Sequence, residues 1–234
     1  MSTRATAGDT PKHVSAEGAP APAKKPRVPR AGRPASPLIT RQAAAETALA
    51  LIDSDGLDSL SLQAVARAMG VSAPSLYHHF RDKEELLTQV VRRLLEEINA
   101  EQETWSDDWE TRTIELSLAT RRVVLRHPNA ATLTLRFFPR KLMLPAYERT
   151  LVDCPYPPET HAVLLEAIEK FTYGASLFAS AAESHHTPAM PPVDDAHFPN
   201  LSRALRLGPQ DDEIIYVESL KVLLAGLRAR YGRP

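Results

Sequence analysis

One glycine, Gly70, separates two short apolar-patterned runs in the stretch LSLQAVARAMGVSAPSLYHHFRDKEELL, residues 60–87, and no other feature restricts the fold as tightly. Upstream of it, Ser61 can cap a helix in which Leu62, Val65, Ala66 and Met69 fall at i, i+3, i+4 and i+7. Gly70 is placed to end that helix with a positive φ, a conformation that side chains with a Cβ resist. Downstream, Ser72 caps a further short helix with Pro74 in its first turn, where a missing N–H costs nothing. On that helix Leu76 and Phe80 fall together one turn apart, Pro74, Ser75 and His78 point to the far side, and Tyr77 sits at the edge. Two short helices joined through a tight glycine turn, the second apolar on one side and hydrogen-bonding on the other, are what a helix-turn-helix requires.

The surroundings are helical as well. Thr40 is placed to cap an alanine-rich helix through Asp53, with Ala45, Ala48, Leu49 and Ile52 on one stripe and Gly56 as its stop. Asp82 caps a fourth helix carrying Leu86, Leu87, Val90, Val91, Leu94, Leu95 and Ile98. Beyond Asn99 no strand pattern competes. Helices are expected near 109–127, 130–138, 142–152, 159–183 and 211–231, because Pro128, Pro139, Pro155, Pro157 and Pro158 interrupt the pattern between them. Residues 184–209 read as a long loop with a short helix at 199–207. The expected fold is therefore all-α, with a three-helix helix-turn-helix domain over 38–84 and a larger helical domain over 85–234.

Residues 1–37 are of another kind: they hold seven of the 20 prolines and seven Lys and Arg against two acids, with little aliphatic surface to offset the entropy of folding. A disordered basic arm is expected there. Its KKPRVPRAGR segment fits either a solubilising tail or an arm that grazes DNA through Arg27, Arg30 and Arg33. Cys154 is the only cysteine, which excludes an intramolecular disulfide and a cysteine-rich zinc site. The longest uncharged stretch in the second half, residues 171–182, is too short to cross a bilayer, and the N-terminus has no apolar run of signal-peptide type. A cytoplasmic location follows as the expectation.

Between Thr40 and Lys83 the acids outnumber the bases, so the helix-turn-helix is not a generic basic patch. Affinity for DNA would have to come from placement. Helix N-termini at Thr40 and Ser61 offer free N–H groups and partial positive charge to phosphates, Lys83 adds a full charge beside a third N-terminus, and the arm supplies the remaining counterion release.

At this level of detail the stretch resembles the DNA-binding signature of the tetracycline-repressor (TetR) family of bacterial transcription regulators, with Ala66, Gly70, Val71, Leu76, Tyr77, Phe80, Lys83 and Leu86 at the family's usual spacing. Alanines at 43–45 stand where the family has larger aliphatics, which is expected to loosen the first helix slightly. The resemblance implies phosphate contacts from Thr40, Ser61 and Tyr77, with Lys83 anchoring the backbone. It directs Ala73, Pro74, Ser75 and His78 to base edges, and gives Gln63 one base or phosphate contact. Of the four base-facing residues only Ser75 and His78 can form directional hydrogen bonds, while Ala73 and Pro74 offer apolar contact to a thymine methyl. His78 and His79 do not read as a metal pair, since neighbours on a helix point about 100° apart.

The resemblance further implies that the second half dimerises and holds a small-molecule effector. Broad apolar stripes over 159–183 and 211–231 suit a four-helix homodimer interface. The order of elements is similar to the tetracycline-type subgroup, yet Thr134 stands where that subgroup would have a metal-binding His and Phe178 where it would have the metal's acidic partner. No metal and no cofactor are expected. Thr134, Phe137, Phe138, Phe171, Tyr173, Ser176 and Phe178 are candidate pocket residues suited to an apolar or aromatic ligand, and each fits ordinary core equally well. No His-Glu-x-x-His, glycine-rich phosphate loop or nucleophile elbow is present, so the chain does not read as an enzyme. A ligand-responsive repressor on a pseudo-palindromic DNA operator is the leading expectation. The alternative is a ligand-independent architectural or interaction protein using the same helix-turn-helix.

Overall fold

The computed structural model describes residues 39–100, 104–136, 140–184 and 190–232, all within one compact unit that spans Ser36–Pro234. Among these residues the regular structure is entirely helical. Helix α1 (Arg41–Asp55) starts where Thr40 Oγ1 accepts from the Ala43 N–H and stops at Gly56, whose φ is 81°. A 3-10 turn at Leu57–Ser59 leads into α2 (Leu62–Ala68), capped by Ser61, and then into α3 (Ala73–Tyr77), capped by Ser72 with proline in its first turn. Between α2 and α3 the chain reverses on a Schellman motif: the Val71 N–H donates to the Ala66 carbonyl and the Gly70 N–H to that of Arg67.

Gly70 has φ 67°, and a Cβ built there would meet nothing within 4 Å. Substitution therefore costs backbone conformation rather than space. Gly70→Ala is expected to lose about 1–2 kcal/mol of stability and Gly70→Asn clearly less, because asparagine tolerates the left-handed region. Urea denaturation of the two variants checks this; equal losses would mean that the positive φ is not what demands glycine.

Helix α4 (Lys83–Ile98), capped by Asp82, buries Leu86, Leu87, Val90, Val91, Leu94 and Ile98. Of the alanines at 43–45, Ala43 is half-buried and the other two face the core. Ala44, Ala45 and Ala48 are fully enclosed, and their small side chains let α1 lie close along α4. The core they share continues past α4 into α5 (Trp109–Arg126) at Val123 and α6 (Pro128–Arg136) at Ala130 and Leu133. Polar ties follow the same path. The His127 Nδ1 lies 2.7 Å from Asp53 Oδ2, and Asn129 donates to the Asp53 carbonyl at 2.7 Å.

The remaining helices are α7 (Arg140–Leu151), α8 (His161–Ser184), α9 (Pro199–Leu207) and α10 (Asp212–Tyr231). Helices α5 and α8 pack together, and α10 lies against both. Trp109, Tyr156, Leu164, Leu220, Leu224 and Leu227 form a second core there, in which the Trp109 and Tyr156 rings meet edge to face. The Tyr216 hydroxyl donates to the Ser117 carbonyl, and the buried Arg121 guanidinium lies over the Tyr216 ring and pairs with Asp212.

The prolines shift two expected boundaries. Pro128 begins α6 rather than preceding it, since a first-turn residue needs no donor, and α8 is led in by a 3-10 turn at Pro158–Thr160 instead of starting at Glu159. No helix among the described residues is long and apolar enough to cross a membrane.

Candidate nucleic-acid interface and ligand chamber

Helix α3 ends at Tyr77, so His78 and Phe80 fall in the turn beyond it and not on the helix as expected, yet the segment still divides by exposure. Leu76 and Phe80 are 0% and 1% exposed, whereas Pro74 and His78 are open to solvent and Tyr77 is 46% exposed. The Tyr77 hydroxyl accepts from Gln63 Nε2 at 3.0 Å, which joins the outer edges of α2 and α3. Ser75 and Ser72 share a hydroxyl–hydroxyl bond of 2.7 Å at the start of α3. Ala73 is half-buried against the core, so it offers less to an external partner than its position in the sequence implies.

Thr40 and Ser61 use their hydroxyl oxygens as acceptors for their own helices, which leaves each hydroxyl proton available to an anion. Lys83 reaches back instead of outward: its Nζ donates to the Leu57 carbonyl at 3.2 Å, tying α4 to the turn after α1. Arg27, Arg30 and Arg33 lie outside the described residues.

Sequence reasoning missed the clasp behind this surface. The Arg41 guanidinium donates to the His79 carbonyl and to Glu85 Oε1 at 2.7 Å while lying 4.6 Å above the Phe80 ring, so α1, the end of α3 and α4 meet on one side chain. Bonds from the Arg81 N–H and from Arg41 hold the Glu85 carboxyl below the ordinary glutamate value of 4.5. A carboxyl depressed by folding contributes stability that is fully present above 4.5 and is lost as the pH falls through its folded value. Glu85→Gln is therefore expected to unfold less steeply with acid below pH 4.5 than the parent chain. Circular dichroism across that range tests it, and superimposable acid profiles would rule the clasp out as a contributor.

The second site is a cavity of about 80 Å³ enclosed by α4, α5, α7 and α8. Leu95, Ile98, Leu116, Met143, Leu165 and Ile168 give it an apolar wall. Glu169 is the charged group among its described lining residues, and it accepts a hydrogen bond from the Tyr147 hydroxyl. Burial and then this carboxylate push Tyr147 well above the ordinary tyrosine value; burial, followed by Glu169, pushes Tyr173 up to about 12. A more polar cleft of about 370 Å³ shares Asn99, Thr113, Leu116, Ala146 and Thr150 with the cavity and opens past Trp105, Arg112 and Arg149.

Of the seven candidate pocket residues the structure brings Tyr173 to this cavity and not Phe171, Ser176 or Phe178. Phe171 stacks on Tyr216 with ring centroids 5.3 Å apart, and Ser176 is fully buried with its hydroxyl on the Thr172 carbonyl. Phe178 is 83% exposed. The cause is helical phase: α8 meets the cavity with Leu165, Ile168, Glu169, Thr172 and Tyr173, a stripe that omits those three. Thr134 falls in α6 with its side chain outside the described residues, and Phe137 and Phe138 lie outside them altogether. Among the described residues no group of three or more His, Cys, Asp or Glu is placed to hold a metal ion.

Two family models match. "Bacterial regulatory proteins, tetR family" covers residues 45–90, and "Tetracyclin repressor-like, C-terminal domain" covers residues 102–231. The class E tetracycline repressor protein of Escherichia coli is 30% identical over 195 residues, which span 78% of this chain and 88% of that protein. Among solved structures, a possible TetR family transcriptional regulator from Streptomyces coelicolor A3(2) superposes with a TM-score of 0.61 at 28% identity, over 81% of this chain and 99% of that one. ActR from Streptomyces coelicolor, in complex with actinorhodin, has a TM-score of 0.64 at 23% identity over 84% of this chain and 99% of its own, a likeness of fold.

Proposed function

The chain belongs to the TetR family of bacterial regulatory proteins, and from that premise we propose that it is a ligand-responsive repressor, acting as a homodimer on a pseudo-palindromic operator. The observation that carries this reading is the span of α4. Its first residue, Lys83, is tied to the turn after α1, and its last turn puts Leu95, Ile98 and Asn99 into the wall of the cavity. A ligand that enlarges or tilts the cavity displaces one end of a rigid helix whose other end carries α3, so ligand and DNA oppose each other through one coupling free energy.

On DNA, α3 of each subunit enters a major groove. Ser75 and His78 face base edges, with Pro74 and the partly covered Ala73 as apolar contacts; Thr40, Ser61, Gln63, Tyr77 and Lys83 serve the phosphates; and Arg27, Arg30 and Arg33 add charge from the arm. The effector is a small apolar or aromatic molecule, a reading in keeping with relatives named as tetracycline repressors. Dimerisation is assigned to α8 and α10, where Phe178 and Val222 are 83% and 73% exposed and Val163, Ile214 and Ile215 are exposed elsewhere on the same two helices. Apolar side chains this open are covered in a stable assembly. Phe178→Glu with Val222→Glu is expected to halve the mass measured by light scattering, and a dimer that survives both charges would place the interface elsewhere.

The reading is tested by selecting fragments of the source genome with the purified protein and sequencing them. Enrichment of a two-fold symmetric site at least about a thousandfold over random DNA is expected for specific recognition. Uniform recovery of fragments would favour an architectural role instead.

A further inference from the structure

The cavity between α4, α5, α7 and α8 has most of its hydrogen-bond donors already committed to the protein. Thr113 donates to the Trp109 carbonyl at 2.8 Å, Thr120 to that of Leu116 at 2.9 Å, and Thr150 to that of Ala146 at 2.9 Å. Asn99 donates to the Leu95 carbonyl at 2.5 Å, and the Tyr147 hydroxyl to Glu169. Tyr147 keeps that proton across the neutral range, because burial and the carboxylate both oppose its loss.

Acceptors outnumber the donors that remain open. Each of those threonine oxygens keeps a lone pair, and Glu169 keeps Oε1, since its bond from Tyr147 ends on Oε2. Arg140 makes a long pair with Oε1, at 4.0 Å, and shares its charge with Glu166, which Lys170 also pairs. Ser117 and Thr172 add neutral hydroxyls at the α5–α8 end. The Thr172 Oγ1 is buried in the lining and can accept or donate.

Resting on the reading of this cavity as the effector site, we propose that it selects a ligand that donates: a compact apolar body carrying an amine or comparable N–H group directed at Glu169, with anionic analogues refused. An N–H on the carboxylate forms a charge-assisted bond on an apolar wall. A ligand carboxylate in the same place meets a like charge as it loses its water. The donor requirement concerns the chamber itself; the wider cleft at Arg112 and Arg149 is where an approaching molecule would first be held.

Three probes with similar skeletons separate the possibilities: 4-phenylbutylamine, 4-phenylbutanoate and butylbenzene, titrated calorimetrically into the full chain and into Glu169→Gln. In the parent chain the amine is expected to bind at least about tenfold more tightly than butylbenzene, the order of a charge-assisted bond, and the carboxylate more weakly than either. In Glu169→Gln the preference of amine over butylbenzene is expected to vanish, and a circular dichroism spectrum and urea midpoint like the parent's show that the variant is folded. Equal binding of all three probes to the parent chain would overturn the donor rule and leave the chamber as a ligand site. A preference that survives Glu169→Gln would also overturn it. Failure of every probe to bind would overturn the chamber reading itself, and the proposal with it.

Discussion

Replacing Phe80 with alanine is expected to remove about 3–5 kcal/mol of stability and, with it, DNA binding at physiological temperature. The ring is 1% exposed in the core beneath α3 and carries the Arg41 guanidinium on its face, so truncation leaves a cavity and a cation that has lost its stacking partner. Arg41 is also the residue that joins His79 to Glu85, so the damage spreads to the orientation of α3. Urea denaturation followed by circular dichroism measures the loss. A drop below about 1 kcal/mol would show that the site collapses to fill the void. Arg81→Ala, at an exposed neighbour whose side chain makes a 3.5 Å pair with Glu85 and whose N–H bond to Glu85 the variant keeps, is the control and is expected to change stability by less than about 0.5 kcal/mol.

The second large effect is on affinity. Tyr77→Ala combined with Lys83→Ala is expected to weaken binding to operator and random DNA alike, by about a hundredfold at low salt, and to flatten the salt dependence by about one counterion. For Lys83 to reach a phosphate its Nζ has to leave the Leu57 carbonyl, so part of its contribution is offset by a broken internal bond. Tyr77 has no such conflict, because its hydroxyl accepts from Gln63 and keeps a proton to donate. His78→Ala is expected to do the opposite of the pair, altering preference among sequences more than overall affinity. Gel shifts at two salt concentrations distinguish them, and unchanged affinity in the double variant would remove these residues from the interface.

What the sequence made legible was local chemistry. Thr40, Ser61, Ser72 and Asp82 each cap the helix that follows, since a cap needs only a short polar side chain and the N–H three residues on. Gly56 and Gly70 both adopt positive φ at the ends of their helices for an equally local reason. The α8 boundary and the inner face of α3 could be read from spacing to within a turn. The cavity could not. It draws a few residues from each of four helices, and aromatic content along α8 pointed to Phe171 and Phe178, which phase carries onto other faces. The carboxylate in its wall, Glu169, looks in isolation like any charge on a solvated surface. The Arg41–Glu85 clasp was equally hidden, because its partners lie 44 residues apart and nothing in either neighbourhood specifies the other.

Helix α4 belongs to the core of α1–α3 and, through Val123, Ala130 and Leu133, to that of the larger half. This sets a rule for modular engineering. A chimera that takes a relative's reading head and joins it at the start of α4 would pair foreign residues with the face built around Ala44, Ala45 and Ala48. A transplant cut after α4 moves the mismatch to the α5 and α6 contacts instead. In either case, on the proposed reading, new operator specificity would be bred into the exposed positions such as Ser75 and His78, while the interlocking layer beneath stays native.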